Sequence, residues 1–114
     1  MRVRKQRIRV HIGPVLNQDV CVSIADFFMK IHNIAWAVVS GTYQGRLIII
    51  VRNDGIRKDA GRLLSEVFGG LGPAGGHKAM ARAEIPLKNL EGVVQYKDVK
   101  ALSRWITKRL EKRT

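Results

Sequence analysis

Cysteine is nearly absent: Cys21 stands alone among 114 residues. A lone thiol excludes an internal disulfide and any multi-cysteine zinc site, and it makes a reducing cytoplasm the expected compartment. Long apolar runs are missing too. The wholly aliphatic run Leu47–Val51 is strand-sized, and no run comes near the roughly 18 residues of a membrane span, so no membrane partner is expected. No hydrophobic signal region follows the basic start, and secretion is not expected. Aromatic residues are only 6 % of the chain, and the basic segments carry a single one, Trp105, rather than the repeated aromatics that stack successive bases. Acids are few, nine against 21 lysines and arginines, for a net charge of +12.

That charge is unevenly placed. Residues 1–9 hold Arg2, Arg4, Lys5, Arg7 and Arg9 with no acid, and residues 97–114 hold seven basic residues and two acids. The remainder, with nine basic and seven acidic residues, is nearly balanced. Basic ends attract phosphate through counterion release, or serve as solvated faces that keep a small domain soluble. At 46 % hydrophobic and 26 % charged residues the composition is globular. The length fits one domain with one core and no staples.

Periodicity supplies the elements. Residues 6–12 alternate, Ile8, Val10 and Ile12 against Arg7, Arg9 and His11, as in a half-buried strand that Gly13-Pro14 ends. Asn17 or Asp19 can cap a helix reaching about Ile31, with Val20, Ile24, Phe27, Phe28 and Ile31 on its apolar face. Two strands follow, 34–40 and 47–52, joined by a turn over 41–45. The second is so apolar that both its faces should be covered by helices. Asp59 is placed to cap a helix with Ala60, Leu63, Leu64, Val67 and Phe68 on one face, ended by Gly69-Gly70. A glycine-rich loop over 69–76 leads to a strand over 81–86. Asp98 then caps a last helix facing inward with Val99, Leu102, Ile106 and Leu110. The expected fold is α/β: a single domain over residues 1–114 with a mixed β-sheet flanked by helices, in the order β-α-β-β-α-β-α. Trp36 and Trp105 are read as packing residues, Tyr43 and Tyr96 as amphipathic surface, and Cys21 as a buried helix residue.

The segment Gly69 to His77 is the most unusual, with five glycines in nine positions. Glycine costs conformational entropy and is used where the backbone must bend tightly or a ligand must approach it. Bare N–H groups can cradle phosphate oxygens, with His77 and Lys78 adding donors. The Walker pattern fails because His77 follows Gly76. Gly70, Gly72 and Gly75 satisfy G-x-G-x-x-G, but a helix precedes and a strand follows, the reverse of the dinucleotide-binding context. The alternative reading is a helix cap and a plain connection.

The stretch GGLGPAGGHKAMARAEIP resembles the signature of the DHH-associated domain, subfamily 1, the C-terminal substrate-binding half of DHH-family, RecJ-like phosphoesterases. Gly75, Gly76, His77, Lys78, Ala79, Ala81 and Ala83 fit its Gly-Gly-His pattern, and ADFFMKIHNIAWAVVSG and LIIIVRN resemble its helix-strand unit and its arginine-ending strand. The similarity covers residues 17–88. It implies a domain that closes over a cleft and holds phosphate or base, with Arg52, Gly75, Gly76, His77, Lys78 and Arg82 as substrate-binding residues. Arginine offers a rigid fork to phosphate. Two positions depart from the pattern: Ile50 replaces a common serine, and Arg82 replaces a small residue, so that Arg82 either adds a phosphate contact or narrows the pocket.

DHH enzymes use two manganese-type cations held by an N-terminal domain. This sequence has His11, His32 and His77, no Asp-His-His triplet and no D-x-D spacing. The resemblance thus implies no catalytic or metal residues here and no activity from the chain alone. The manganese and the catalytic residues would belong to a DHH domain of the same parent, of which this chain is a fragment. The expected ligand is a nucleotide or short single-stranded nucleic acid, and a homodimer is left open. The alternative is a free-standing nucleic-acid-binding module related to the C-terminal domain of alanyl-tRNA synthetases.

Overall fold

The computed structural model describes residues 6–31, 33–55 and 58–112. Arg2, Arg4, Lys5, His32 and Arg113 lie outside them. Five strands form one mixed sheet in the order β1-β2-β3-β5-β4: β1 Gln6–Pro14, β2 Ile34–Tyr43, β3 Arg46–Asn53, β4 Ala74–Gly76 and β5 Met80–Pro86. β1 runs parallel to β2, and every other pair is antiparallel. Helix α1 (Asp19–Met29) covers one face; α2 (Ala60–Phe68) and α3 (Val99–Glu111) cover the other. The order is the expected one with β4 added and a short 3₁₀ turn over Leu87–Leu90.

The strand Leu47–Val51 is buried throughout, and it splits two cores by alternation. Leu47, Ile49 and Val51 join Leu63, Leu64, Phe68, Leu102, Ile106 and Leu110 under α2 and α3. Ile48 and Ile50 join Val39, Cys21 and Ala25 under α1. Asp59 and Asp98 cap their helices, accepting from the backbone N–H of Arg62 (3.0 Å) and of Lys100 and Ala101 (3.0 and 3.2 Å).

Several expectations are corrected. The face of α1 is the expected one in part: Ile24 and Phe28 pack against the core, but its fully buried residues are Cys21 and Ala25, and Phe27 is 62 % and Ile31 42 % exposed. Small residues let α1 approach the sheet closely at Gly41, where an added Cβ would lie 3.1 Å from the Cys21 sulfur. The turn is narrower than 41–45: Gln44 and Gly45 alone make it, both with positive φ (48° and 74°), as a two-residue hairpin turn requires. Gly13 does not end β1; with φ 90° it sits at a register shift, and pairing resumes at Pro14. Arg7 and Arg9 lie in β1, as the alternation over residues 6–12 predicts. The segment Ala74–Gly76 is an edge strand, not loop. Val99 is 45 % exposed; Leu102, Ile106 and Leu110 are the buried residues of α3.

The polar face of β1 turns inward, beneath α3. Arg9 pairs with Glu111 at 3.1 Å, and His11 Nδ1 lies 2.8 Å from the Ser40 hydroxyl. Burial lowers the His11 pKa from its ordinary 6.5. A folded state that disfavours the imidazolium is fully stable above the unfolded pKa and loses stability as pH falls through it. The urea midpoint is expected to drop between pH 7.5 and 5.5, and His11→Gln to flatten that drop. An unchanged slope in His11→Gln would show that another group titrates.

Candidate phosphate-binding shelf

Register places the candidate residues. Arg52 pairs with Met80, and Ile50 pairs with Arg82, across β3 and β5. Since Ile50 faces α1, Arg52, Met80 and Arg82 lie on that same side of the sheet. Gly75 pairs with Arg82 from β4 and shares the side. His77 begins the turn into β5; its N–H donates to the Met80 carbonyl (2.9 Å), which extends the register by one step. Arg52, Met80 and His77 thus form a row at one end of the sheet. Two strand spacings put the Cα atoms of Arg52 and His77 roughly 10 Å apart. Helix α1 packs on β2 and β3, and this shelf lies beside it.

The two arginines are held by partners that sequence reasoning missed. Arg52 Nη1 donates to Asp26 Oδ1 of α1 at 2.6 Å, while its buried Nε has no partner among the described residues. Arg82 is fixed by Glu84 (2.8 Å from Nε to Oε1) and by Gln18 at the start of α1. Asp26 and Gln18 carry no motif; only the packing of α1 on the sheet brings them there. Burial pushes the Cys21 thiol pKa up, and the Arg82 charge pulls it back.

The glycines divide into two groups. At Gly76 (φ 152°) a Cβ would strike the Met80 carbonyl and lie 2.7 Å from Ala81 Cα. At Gly61 it would lie 2.6 Å from the Gly76 carbonyl oxygen. These two serve the close packing of the β4–β5 hairpin on α2. At Gly75 and Gly70 an added Cβ would meet nothing within 4 Å, so no neighbour within the fold requires glycine there.

His77 is exposed and its Nδ1 accepts the Ala79 N–H at 3.3 Å. Lys78 is exposed in the turn. The carbonyls of His77 and Lys78 accept from Gly61 (3.0 Å) and Ala60 (2.9 Å) at the start of α2. With Arg62 N–H bonded to Asp59, that helix end offers these three N–H groups to its own chain rather than to an anion. Among the described residues no three of His, Cys, Asp or Glu converge as a metal site would require, and no helix is long and apolar enough to cross a membrane.

A five-stranded mixed sheet with one helix on one face and two on the other, and arginines on the singly covered face, defines a small α/β domain. No protein-family model matches the chain. Over 87 residues, 75 % of its length, it is 34 % identical to the uncharacterized protein MJ1633 of Methanocaldococcus jannaschii, and the match spans 17 % of that longer protein. Its fold is similar to that of the C-Ala domain of alanyl-tRNA synthetase from Aquifex aeolicus, with a TM-score of 0.61 over 76 % of this chain and 86 % of that one. The identity is 11 %, so this likeness is one of fold.

Proposed function

We propose that the chain is a nucleic-acid-binding module whose shelf holds a phosphate of its ligand. The observation that carries the reading is the arrangement of Arg52, Arg82 and His77 around Gly75 and Met80 on one sheet side. Arg52 and Arg82 supply planar donors suited to phosphate oxygens, and bare Gly75 lets a ligand approach the edge strand. The fold likeness to a domain of a tRNA synthetase supports the class of ligand.

A finer reading keeps the DHH-associated domain: a substrate-holding half whose phosphoesterase chemistry resides in a separate metal-binding domain. It is favoured by the Gly-Gly-His segment, which forms the end and turn of the edge strand beside the shelf.

Calorimetric titration with a mononucleotide and a dinucleotide tests the shelf. Arg52→Ala and His77→Ala are each expected to weaken binding by about 1.5–3 kcal/mol, the scale of a hydrogen bond to a charged group. Folding stability should change little. The Arg52–Asp26 side chains are 31 % and 45 % exposed, and such pairs contribute about 1 kcal/mol at most. Two variants that bind like the parent would refute the shared phosphate site.

A further inference from the structure

The outer face of α3 carries Lys100, Arg104, Lys108 and Lys112, all exposed. Four-residue steps advance about 40° around a helix and about 6 Å along it, so the four cations form one slowly winding stripe about 18 Å long. The stripe lies opposite the buried Leu102, Ile106 and Leu110. None of the four has an ion-pair partner among the described residues. The one acid of α3, Glu111, is engaged by Arg9. On α2, by contrast, Arg62 and Glu66 form an ordinary i,i+4 pair at 3.8 Å. Like charges at i,i+4 oppose helix formation, and α3 accumulates three such pairs in succession.

We propose that this stripe is a track for the phosphate backbone of a nucleic acid, bound without regard to sequence. The inference takes its partner class from the reading above and places a second contact on the opposite side of the sheet. Helix α3 packs against the core under Phe68, whereas the Arg52–Arg82 shelf lies on the α1 side. Three features select this partner. The stripe is made of lysine and arginine alone, the residues that neutralise phosphates, and lysine is depleted at protein–protein interfaces. The apolar face of α3 is used up in the core, with Leu102, Ile106 and Leu110 at 1 %, 4 % and 1 % exposure, so no apolar face remains to enter a bilayer. Trp105 is packed on Phe68, with ring centroids 5.7 Å apart, which leaves backbone charge rather than base stacking to supply the affinity.

The test is fluorescence anisotropy with a labelled single-stranded RNA of about 20 nucleotides, a probe longer than the stripe, over a salt series. The triple variant Lys100→Gln, Arg104→Gln, Lys108→Gln is compared with a charge-matched control, Lys30→Gln, Lys58→Gln, Lys88→Gln. Removing three phosphate contacts is expected to lower the slope of log affinity against log salt by about 2. The control should keep the parental slope, and dinucleotide affinity should be unchanged in both. Equal flattening in the two variants, or none in the α3 variant, overturns the track. A parent that binds dinucleotide through Arg52 but not the RNA also overturns it while leaving the shelf intact. The reverse result, RNA binding lost with α3 while Arg52→Ala has no effect on dinucleotide, removes the shelf and supports the track. Anionic vesicles that bind the parent and release the α3 variant, with RNA binding unaltered, assign the stripe to a membrane and overturn the proposal.

Discussion

Phe68→Ala is expected to destabilise the domain by about 3–5 kcal/mol, the range of aromatic deletions from a closed core. The ring is fully buried at the C-terminal end of α2. Its centroid lies 5.7 Å from that of Trp105, and the Arg109 guanidinium sits 5.9 Å from it and 5.2 Å from the Trp105 ring. Arg109 Nη2 also donates to the Val67 carbonyl at 2.9 Å, which satisfies an acceptor in the last turn of α2. Deleting the ring therefore leaves a cavity and removes the surface that orients Trp105 and Arg109, and with them the docking of α3. Against a total stability of about 5–15 kcal/mol, the loss is a large share. Phe68→Leu retains most of the volume and should cost under about 1.5 kcal/mol. Urea unfolding followed by tryptophan fluorescence reads both. A loss below about 1.5 kcal/mol for Phe68→Ala would mean that the site collapses around the deletion.

The part of the fold that was legible in the sequence is the part where one local signal dominates. In α2 the five apolar positions fall on one face, Asp59 precedes them, and all five are buried. In β3 an unbroken aliphatic run has only one comfortable place, between two helical layers. Where two signals overlap, periodicity alone does not decide between them. Helix α1 carries both a large apolar set and a small one, Cys21 with Ala25. Packing against Gly41 seats the small set on the sheet, with Ile24 and Phe28 beside it, and turns Phe27 outward. On β1 the alternation locates the strand, but nothing in it says what meets its arginine and histidine face. It lies instead beneath α3, because Glu111 and Ser40 stand ready to pair with Arg9 and His11. The edge strand β4 was hidden because Ala-Gly-Gly has no strand propensity of its own; β5 imposes the pairing. At the candidate site, arginine, glycine and histidine were visible as residue types. Asp26 and Gln18 were not, since their roles depend on where α1 lands.

The glycine run holds both tightly packed and open positions, and substitution one residue at a time should expose the division. In a helix, Gly→Ala ordinarily stabilises by up to about 1 kcal/mol. At Gly61 the sign is expected to reverse, with a loss of about 2–3 kcal/mol, because a Cβ there would lie 2.6 Å from the Gly76 carbonyl oxygen and 2.7 Å from its carbon. That contact is backbone against backbone and cannot be relieved by a rotamer change. It is fixed from both sides by the bonds from Gly61 N–H to the His77 carbonyl (3.0 Å) and from Ala60 N–H to the Lys78 carbonyl (2.9 Å). Gly76→Ala should cost at least as much, since a positive φ of 152° adds backbone strain to the approach of Met80 and Ala81. Gly70→Ala and Gly75→Ala, whose new methyl groups meet nothing within 4 Å, should stay within about 0.5 kcal/mol of the parent. Gly75 pairs with Arg82 on the shelf side, so Gly75→Ala is expected to leave the urea midpoint in place and weaken dinucleotide binding about tenfold, or about 1.4 kcal/mol. If Gly61→Ala instead stabilises the domain, the hairpin is not seated on α2 as described. If Gly75→Ala binds dinucleotide as the parent does, the ligand does not approach the edge strand.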